Sequence, residues 1–251
     1  MTRAAAYTVV ALVLGVVGWS GPGAVIAAVA LASIALAMLV PALPHTEGFS
    51  GVAAVGVCWC ALFLVCIEDV RPGGLPGGIG FALFPVAAIF VVVTVLQLWD
   101  RRDRRAVINA MSSTALISVV VVAGTVWVPI SRNSYGTTVL VTAALALAVA
   151  GRAVTTVSAK RVGGRAWWIV RAAAICISAG LGVLGPLILG ALPWWWGAAA
   201  GALIAVVVIA GDELVTALAP ERGSAAALVA PVCASALAAA PIFVLTAVVV
   251  G

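Results

Sequence analysis

The chain has 251 residues, of which 65% are hydrophobic and only 8% charged, and its formal net charge is +5 at pH 7. A soluble domain has roughly 25% charged residues. The composition excludes a soluble globular protein and predicts a membrane protein, for which we expect no nucleic-acid partner.

A membrane-spanning helix needs about 20 mostly apolar residues, because each residue rises about 1.5 Å and the hydrocarbon core is about 30 Å thick. Apolar runs of that length predict an all-α, polytopic integral membrane protein. About nine transmembrane helices are expected, at residues 4–20, 23–43, 50–68, 76–99, 106–130, 136–152, 166–191, 194–211 and 224–250. The connecting loops are short, so we expect a single transmembrane domain over residues 1–251. Residues 1–20 lack an Ala-x-Ala cleavage pattern, which favours a retained helix over a signal peptide.

Basic residues predict the orientation of these helices. With nine spans, all of the 13 basic residues except Arg71 and Arg132 fall on one side of the membrane. Because loops rich in Lys and Arg remain cytoplasmic, the N-terminus is predicted to be cytoplasmic and the C-terminus external. The run from Asp100 to Arg105 serves as a stop-transfer anchor or as a site for anionic phospholipids. Candidate lipid- or phosphate-binding residues are Arg101, Arg102, Arg104, Arg105, Lys160, Arg161 and Arg165.

The sequence has no residue pattern typical of a metal site or of a redox-active cysteine pair. The five cysteines fall inside predicted spans without a CxxC pair, where thiols commonly pack as small apolar groups. His45 is the only histidine, and it lies close to Glu47. One imidazole and one carboxylate do not make a zinc site, which has three or four protein ligands. We therefore expect no cofactor.

An acidic pair, Asp212 and Glu213, directly follows the eighth predicted helix. Carboxylates at a helix C-terminus oppose the helix dipole at a cost of roughly 0.3–1 kcal/mol, which a cation would relieve. Arg222 is the nearest candidate partner in the sequence. Asp212 and Glu213 are also the only candidates for catalytic residues, and Asp212 is the only candidate metal ligand.

The part of the chain from about residue 140 to 251 resembles the C-terminal region of CDP-diacylglycerol synthases, the phosphatidate cytidylyltransferases. The resemblance depends on four matching segments: Pro193-Trp194-Trp195, Gly211-Asp212, the small-residue and proline run from Ala238 to Phe243, and the basic-glycine pattern of Lys160, Arg161 and Gly163. It implies a membrane enzyme that joins phosphatidic acid to CTP at a cytoplasmic cavity, with Mg²⁺ held by acidic residues.

Most of that family's acidic and basic motifs are replaced in this chain. Arg152 and Ala153 occupy the place of an Asp-Thr run, and apolar residues replace a Lys-Thr-Trp-Glu-Gly run around residues 173–177. Behind Asp212, Thr216 precedes a short loop that has lost the family's Pro-Gly-His-Gly-Gly segment. A phosphoryl transfer assisted by a metal needs several coordinating groups, and Asp212 supplies one. The resemblance therefore implies a degenerate member of the superfamily, a pseudoenzyme.

Three functions stay open at the level of sequence. The favoured one is a non-catalytic subunit or lipid-binding partner of another membrane protein in a bacterial inner membrane. Gly197 and Gly201 have the GxxxG spacing that permits close helix packing in a homo- or hetero-oligomer. The second is an active, CTP-dependent enzyme of phospholipid metabolism that needs Mg²⁺. The third is a small transporter or flippase, against which stands the scarcity of charges in the middle of the spans.

Overall fold

The computed structural model describes residues 3–42, 51–68, 95, 104–160, 165–218 and 224–250. The regular elements in these ranges are helical: α1 (Arg3–Ser20), α2 (Pro22–Leu39), a 3₁₀ turn (Val40–Ala42), α3 (Gly51–Glu68), α4 (Arg104–Thr125), α5 (Trp127–Arg132), α6 (Gly136–Lys160), α7 (Arg165–Gly182), α8 (Leu184–Leu189), α9 (Trp194–Leu218) and α10 (Ser224–Val250).

The predicted all-α fold with several membrane-length helices is confirmed for these residues. Seven described stretches are long and apolar enough to cross a membrane: α1, α2, α4 with α5, α6, α7 with α8, α9 and α10. Helix α3 adds an apolar helix of 18 residues. Helices suit this environment because every backbone N–H and C=O is satisfied within the segment. The helix predicted at 76–99 lies outside the described residues except for residue 95, so the count of nine and the orientation stay predictions.

Two of these membrane-length stretches are interrupted near one end, where the sequence predicted continuous helices. Helix α4 gives way to α5 at Val126, and α7 gives way to α8 at Val183. Each six-residue helix contains a proline, Pro129 or Pro186. Proline has no N–H to donate to the carbonyl four residues earlier, and its ring clashes with that carbonyl. The proline therefore explains each break.

Helices α6 and α9 are longer than predicted. They continue to Lys160 and Leu218, whereas the sequence analysis ended them at residues 152 and 211. Residues between Gly211 and Leu218 are mostly helix formers, and the first strong helix breaker in the sequence is Pro220. This extension decides where the acidic pair lies.

Helix α6 packs against α1, α7 and α9 in the described bundle. Helices α1 and α6 run antiparallel and approach closely through small residues: Gly15 faces Ala144, and Gly18 faces Leu140. A Cβ atom at Gly18 would lie only 2.5 Å from the Cβ atom of Leu140. This approach fits the small-residue packing of membrane helices, for which dispersion contacts are the main attraction.

The GxxxG pair, Gly197 and Gly201, lies at a contact between two helices of the same chain. The backbones of α7 and α9 touch, so that a Cβ atom at Gly197 would collide with the carbonyl of Gly182, and one at Gly201 with the carbonyl of Ser178. The sequence analysis had assigned this spacing to contacts between protein chains. Gly197 and Gly201 instead hold α9 against α7 of the same chain.

Candidate functional site

Asp212 lies inside α9, and the helix continues beyond it to Leu218. The predicted position of Asp212 and Glu213 in a loop behind the helix is therefore wrong. Because the effect of the helix dipole fades within the last turn, the dipole is not the main influence on Asp212. Burial is more important, since only 7% of the Asp212 side chain is exposed. A buried carboxylate requires a cationic or hydrogen-bonding partner.

Arg3 supplies a cation for Asp212. Nη1 of Arg3 lies 3.4 Å from Oδ1 of Asp212, and only 13% of the Arg3 side chain is exposed. Arg3 begins α1, so the pair joins the start of α1 to the later part of α9. The sequence analysis named Arg222 as the partner, a residue that lies outside the described ranges.

Glu213 forms a second ion pair with Arg171 of α7. Half of the Glu213 side chain is exposed, so solvent screens this pair more than the first. The guanidinium of Arg171 also lies over the ring of Trp167, 3.3 Å from its centroid. A cation over an indole face is attracted by the ring quadrupole, which fixes the orientation of Arg171. Glu213 is thereby tied to α7, as Asp212 is tied to α1.

Tyr7 adds a buried hydroxyl beside these pairs. It follows Arg3 by one helical turn, its side chain is fully buried, and it is close enough to Asp212 to interact electrostatically. Its ring packs against Gly151 of α6, where a Cβ atom would overlap the ring. Within the described part of the chain, the Tyr7 hydroxyl has no hydrogen-bond partner. Such a group costs roughly 1–3 kcal/mol when it is buried unsatisfied.

These side chains form one network at one end of the bundle, which we call the Arg3–Asp212 network: Arg3, Tyr7, Arg171, Asp212 and Glu213. Arg3 begins the first membrane-length stretch, and Glu213 ends the one from Trp194. The network therefore lies at the end of these membrane-length stretches and not at their centre. Two guanidinium groups face two carboxylates, so each carboxylate accepts from a cation of the chain itself.

Both arginines of the network are residues that the sequence analysis passed over as site residues. A local signal was present, because Trp167 and Arg171 are four residues apart and so share a helix face. Arg3 and Tyr7 show the same spacing on α1. The contact between Arg3 and Asp212 had no such signal, since it joins residues 209 positions apart.

The predicted basic candidates are distributed over three helix ends. Arg104 and Arg105 begin α4, Lys160 ends α6, and Arg165 begins α7. Arg101, Arg102 and Arg161 lie outside the described residues. Their binding of anionic lipid stays a prediction.

The three tryptophans at the start of α9 are divided between the surface and the interior of the bundle. Trp194 and Trp195 are 62% and 47% exposed, as an interfacial belt requires. Trp196 is fully buried. The start of α9 therefore turns two indoles outward and one into the bundle.

Arg132 of α5 contacts the last turn of α3. It donates to the carbonyl oxygen of Val65 at 3.4 Å and lies 3.6 Å from Sγ of Cys66. Both acceptors belong to the last turn of α3, where unpaired carbonyls attract cations. Arg132 thus joins α5 to α3.

Among the residues that the structure describes, no three His, Cys, Asp or Glu side chains come together as a possible metal-binding group. The site is an ion-pair network with an adjoining buried phenol. No protein-family model, curated protein or solved structure matches the chain.

Proposed function

We propose that the chain is a catalytically degenerate, phosphatidate-cytidylyltransferase-like protein of a bacterial inner membrane. It acts as a non-catalytic subunit or lipid-binding partner of another membrane protein. The observation that carries the proposal is the pairing of Asp212 with Arg3. Asp212 belongs to the Gly-Asp landmark of the resemblance, and a guanidinium of this chain faces its carboxylate.

The pairing makes Asp212 a poor metal ligand. A Mg²⁺ ion at this carboxylate would have to displace Arg3, whose side chain is only 13% exposed. Breaking a buried ion pair leaves an uncompensated charge, at a cost of about 3–5 kcal/mol. An active enzyme would also have to bring Asp212 and Glu213 together with Lys160, Arg161 and Arg165 around a nucleotide. The Arg3–Asp212 network already binds both carboxylates to arginines.

One feature of the helices supports the transporter alternative, and another argues against it. The interrupted stretches α4 with α5 and α7 with α8 resemble the discontinuous helices of transporters. Each break, however, lies only six residues from the end of its stretch, about 9 Å along the axis. Transporters place such breaks and their ionisable groups near the bilayer centre. The Arg3–Asp212 network also lies away from the centre of the membrane-length stretches, which argues against a transporter as well.

A cytidylyltransferase assay tests the proposal. The purified chain is reconstituted in vesicles with phosphatidic acid, CTP and Mg²⁺, beside the variants Asp212→Ala and Glu213→Ala. We expect no CTP-dependent lipid product from any of the three. Product formed by the wild type and lost in Asp212→Ala or in Glu213→Ala would overturn the proposal. The partner function is tested by purification from the native membrane, where we expect a co-purifying protein or lipid, and where a lipid-free monomer would contradict it.

A further inference from the structure

Arg152 differs from the other three arginines whose side chains the structure describes. Those three bind groups of the chain itself: Arg3 pairs with Asp212, Arg171 pairs with Glu213, and Arg132 donates to the carbonyl of Val65. The Arg152 side chain is exposed, and no described side chain or carbonyl accepts a hydrogen bond from its guanidinium. A guanidinium has five N–H donors and keeps its positive charge in proteins. Arg152 therefore presents an uncompensated cation on the outside of the bundle.

This cation lies inside a membrane-length stretch. The sequence analysis ended the helix at residue 152, but α6 continues to Lys160, and its membrane-length stretch runs from Gly136 to Thr156. Arg152 precedes the end of that stretch by four residues, about 6 Å along the axis. The adjacent Gly151 faces the ring of Tyr7, a member of the Arg3–Asp212 network. Arg152 is therefore near the membrane surface at the same end of the bundle as the network.

The neighbouring hydroxyls do not compensate the charge of Arg152. The Thr155 and Thr156 hydroxyls both donate to the backbone carbonyl oxygen of Arg152, at 2.9 and 2.8 Å. Their protons are thereby directed at the helix backbone and away from any group outside it. Hydrocarbon offers no acceptor for a guanidinium, so an arginine near the end of a membrane helix extends its side chain to acceptors at the interface.

A lipid phosphate is the acceptor that this position favours. The planar fork of a guanidinium matches two oxygens of a phosphate, with charge-assisted hydrogen bonds. The Cα–Cβ bond of a helix residue tilts toward the helix N-terminus, which for Arg152 means toward the middle of the stretch. This tilt keeps the guanidinium at the depth of the headgroups and out of the water beyond them. A zwitterionic headgroup brings its own cation, whereas an anionic one does not, so the charge of Arg152 favours an anionic phospholipid.

We infer that Arg152 binds the phosphate of an anionic phospholipid on the outer side of α6, at the end of the bundle that carries the Arg3–Asp212 network. The inference rests on the proposed function to the extent that it names one residue through which the chain binds lipid. Arg152 precedes Lys160 by eight residues, about 12 Å along the helix, so this contact is separate from the basic residues predicted at the helix ends.

The test uses the full chain in vesicles of phosphatidylcholine with a minor fraction of phosphatidylglycerol that carries a photoactivatable diazirine on its headgroup. After illumination, lipid adducts are mapped by mass spectrometry. We expect adducts on residues 152–156 well above those at Trp168, an exposed side chain in the first turn of α7 at the same end of the bundle. Arg152→Gln should lower them about fivefold, which corresponds to about 1 kcal/mol for one basic residue at an anionic surface.

The matched control is Thr156→Val, a change of similar volume at an exposed position one turn along the same helix face. It should leave the adduct pattern unchanged. Because the Arg152 side chain is exposed and has no described partner, Arg152→Gln should also keep the thermal unfolding temperature of wild type.

Three results would overturn the inference. The first is equal labelling of residues 152–156 and Trp168 in wild type, or labelling of residues 152–156 that survives in folded Arg152→Gln. The second is loss of the adducts on addition of inorganic phosphate but not of sodium chloride at the same ionic strength, because the site would then take free anions. The third is a cross-link from residues 152–156 to another protein in the native membrane, which would assign Arg152 to a protein partner. The cytidylyltransferase assay tests the proposed function separately, since none of these results depends on CTP.

Discussion

Replacing Arg3 with Met tests whether the Arg3–Asp212 network holds the bundle together. Both side chains are largely buried, so the substitution removes the cation that Arg3 supplies to the Asp212 carboxylate. Removal of one partner of a buried ion pair costs about 3–5 kcal/mol. Arg171 also acts on Asp212 through space, which favours the low end, about 3 kcal/mol.

The double variant Arg3→Met, Asp212→Leu provides the decisive comparison. Replacing both charges with apolar groups removes the desolvation penalty together with the attraction, so its stability should return to within about 1 kcal/mol of wild type. The free energy of unfolding is measured for wild type, both single variants and the double variant in mixed micelles. The coupling energy of that cycle isolates the pair. A loss below about 1 kcal/mol for Arg3→Met, or no recovery in the double variant, would refute the reasoning.

Three further substitutions probe other parts of the structure. Gly201→Leu forces a side chain into the backbone of Ser178 and should destabilise the fold by about 1–3 kcal/mol in thermal unfolding. The control Gly180→Leu places its side chain in open space and should not destabilise the fold. Equal effects of the two substitutions would count against the contact between α7 and α9. Glu213→Ala should lower the free energy of unfolding by less than about 1 kcal/mol, because half of the Glu213 side chain is exposed. A larger decrease would mean that solvent does not screen the ion pair between Glu213 and Arg171. Tyr7→Phe removes an unsatisfied buried hydroxyl and should raise the unfolding free energy by about 1 kcal/mol; a loss of stability would show that the hydroxyl has a partner, such as a buried water.

Helix positions were predictable from the sequence because membrane length and low polarity are local properties. The apolar runs alone placed α1, α2, α3 and α10 close to their observed bounds. The end of α9 was misplaced because Gly211 and the acidic pair were taken as a break. Glycine within a long apolar helix lowers its stability by only about 1 kcal/mol, which tertiary packing overrides.

Partners distant in the sequence were not predictable in the same way. Arg222, which lies outside the described residues, was named for Asp212 because it is close along the chain. The contact of Asp212 with Arg3, across 209 positions, was not predicted. The face to which a helix residue turns is also set by its neighbours in space. Trp194 and Trp196 differ in burial for that reason, although both belong to the same tryptophan triplet.

The long separation of Arg3 from Asp212 has a consequence for synthesis of the chain. Residues are added at about 5–20 per second, so roughly 10–40 seconds pass between the appearance of Arg3 and that of Asp212. During this interval α1 can be in the membrane while its terminal guanidinium depends on water and lipid headgroups. The arrival of α9 converts that arginine into a buried structural contact. A chain that stalls before α9 therefore exposes a charged helix end that a finished chain covers.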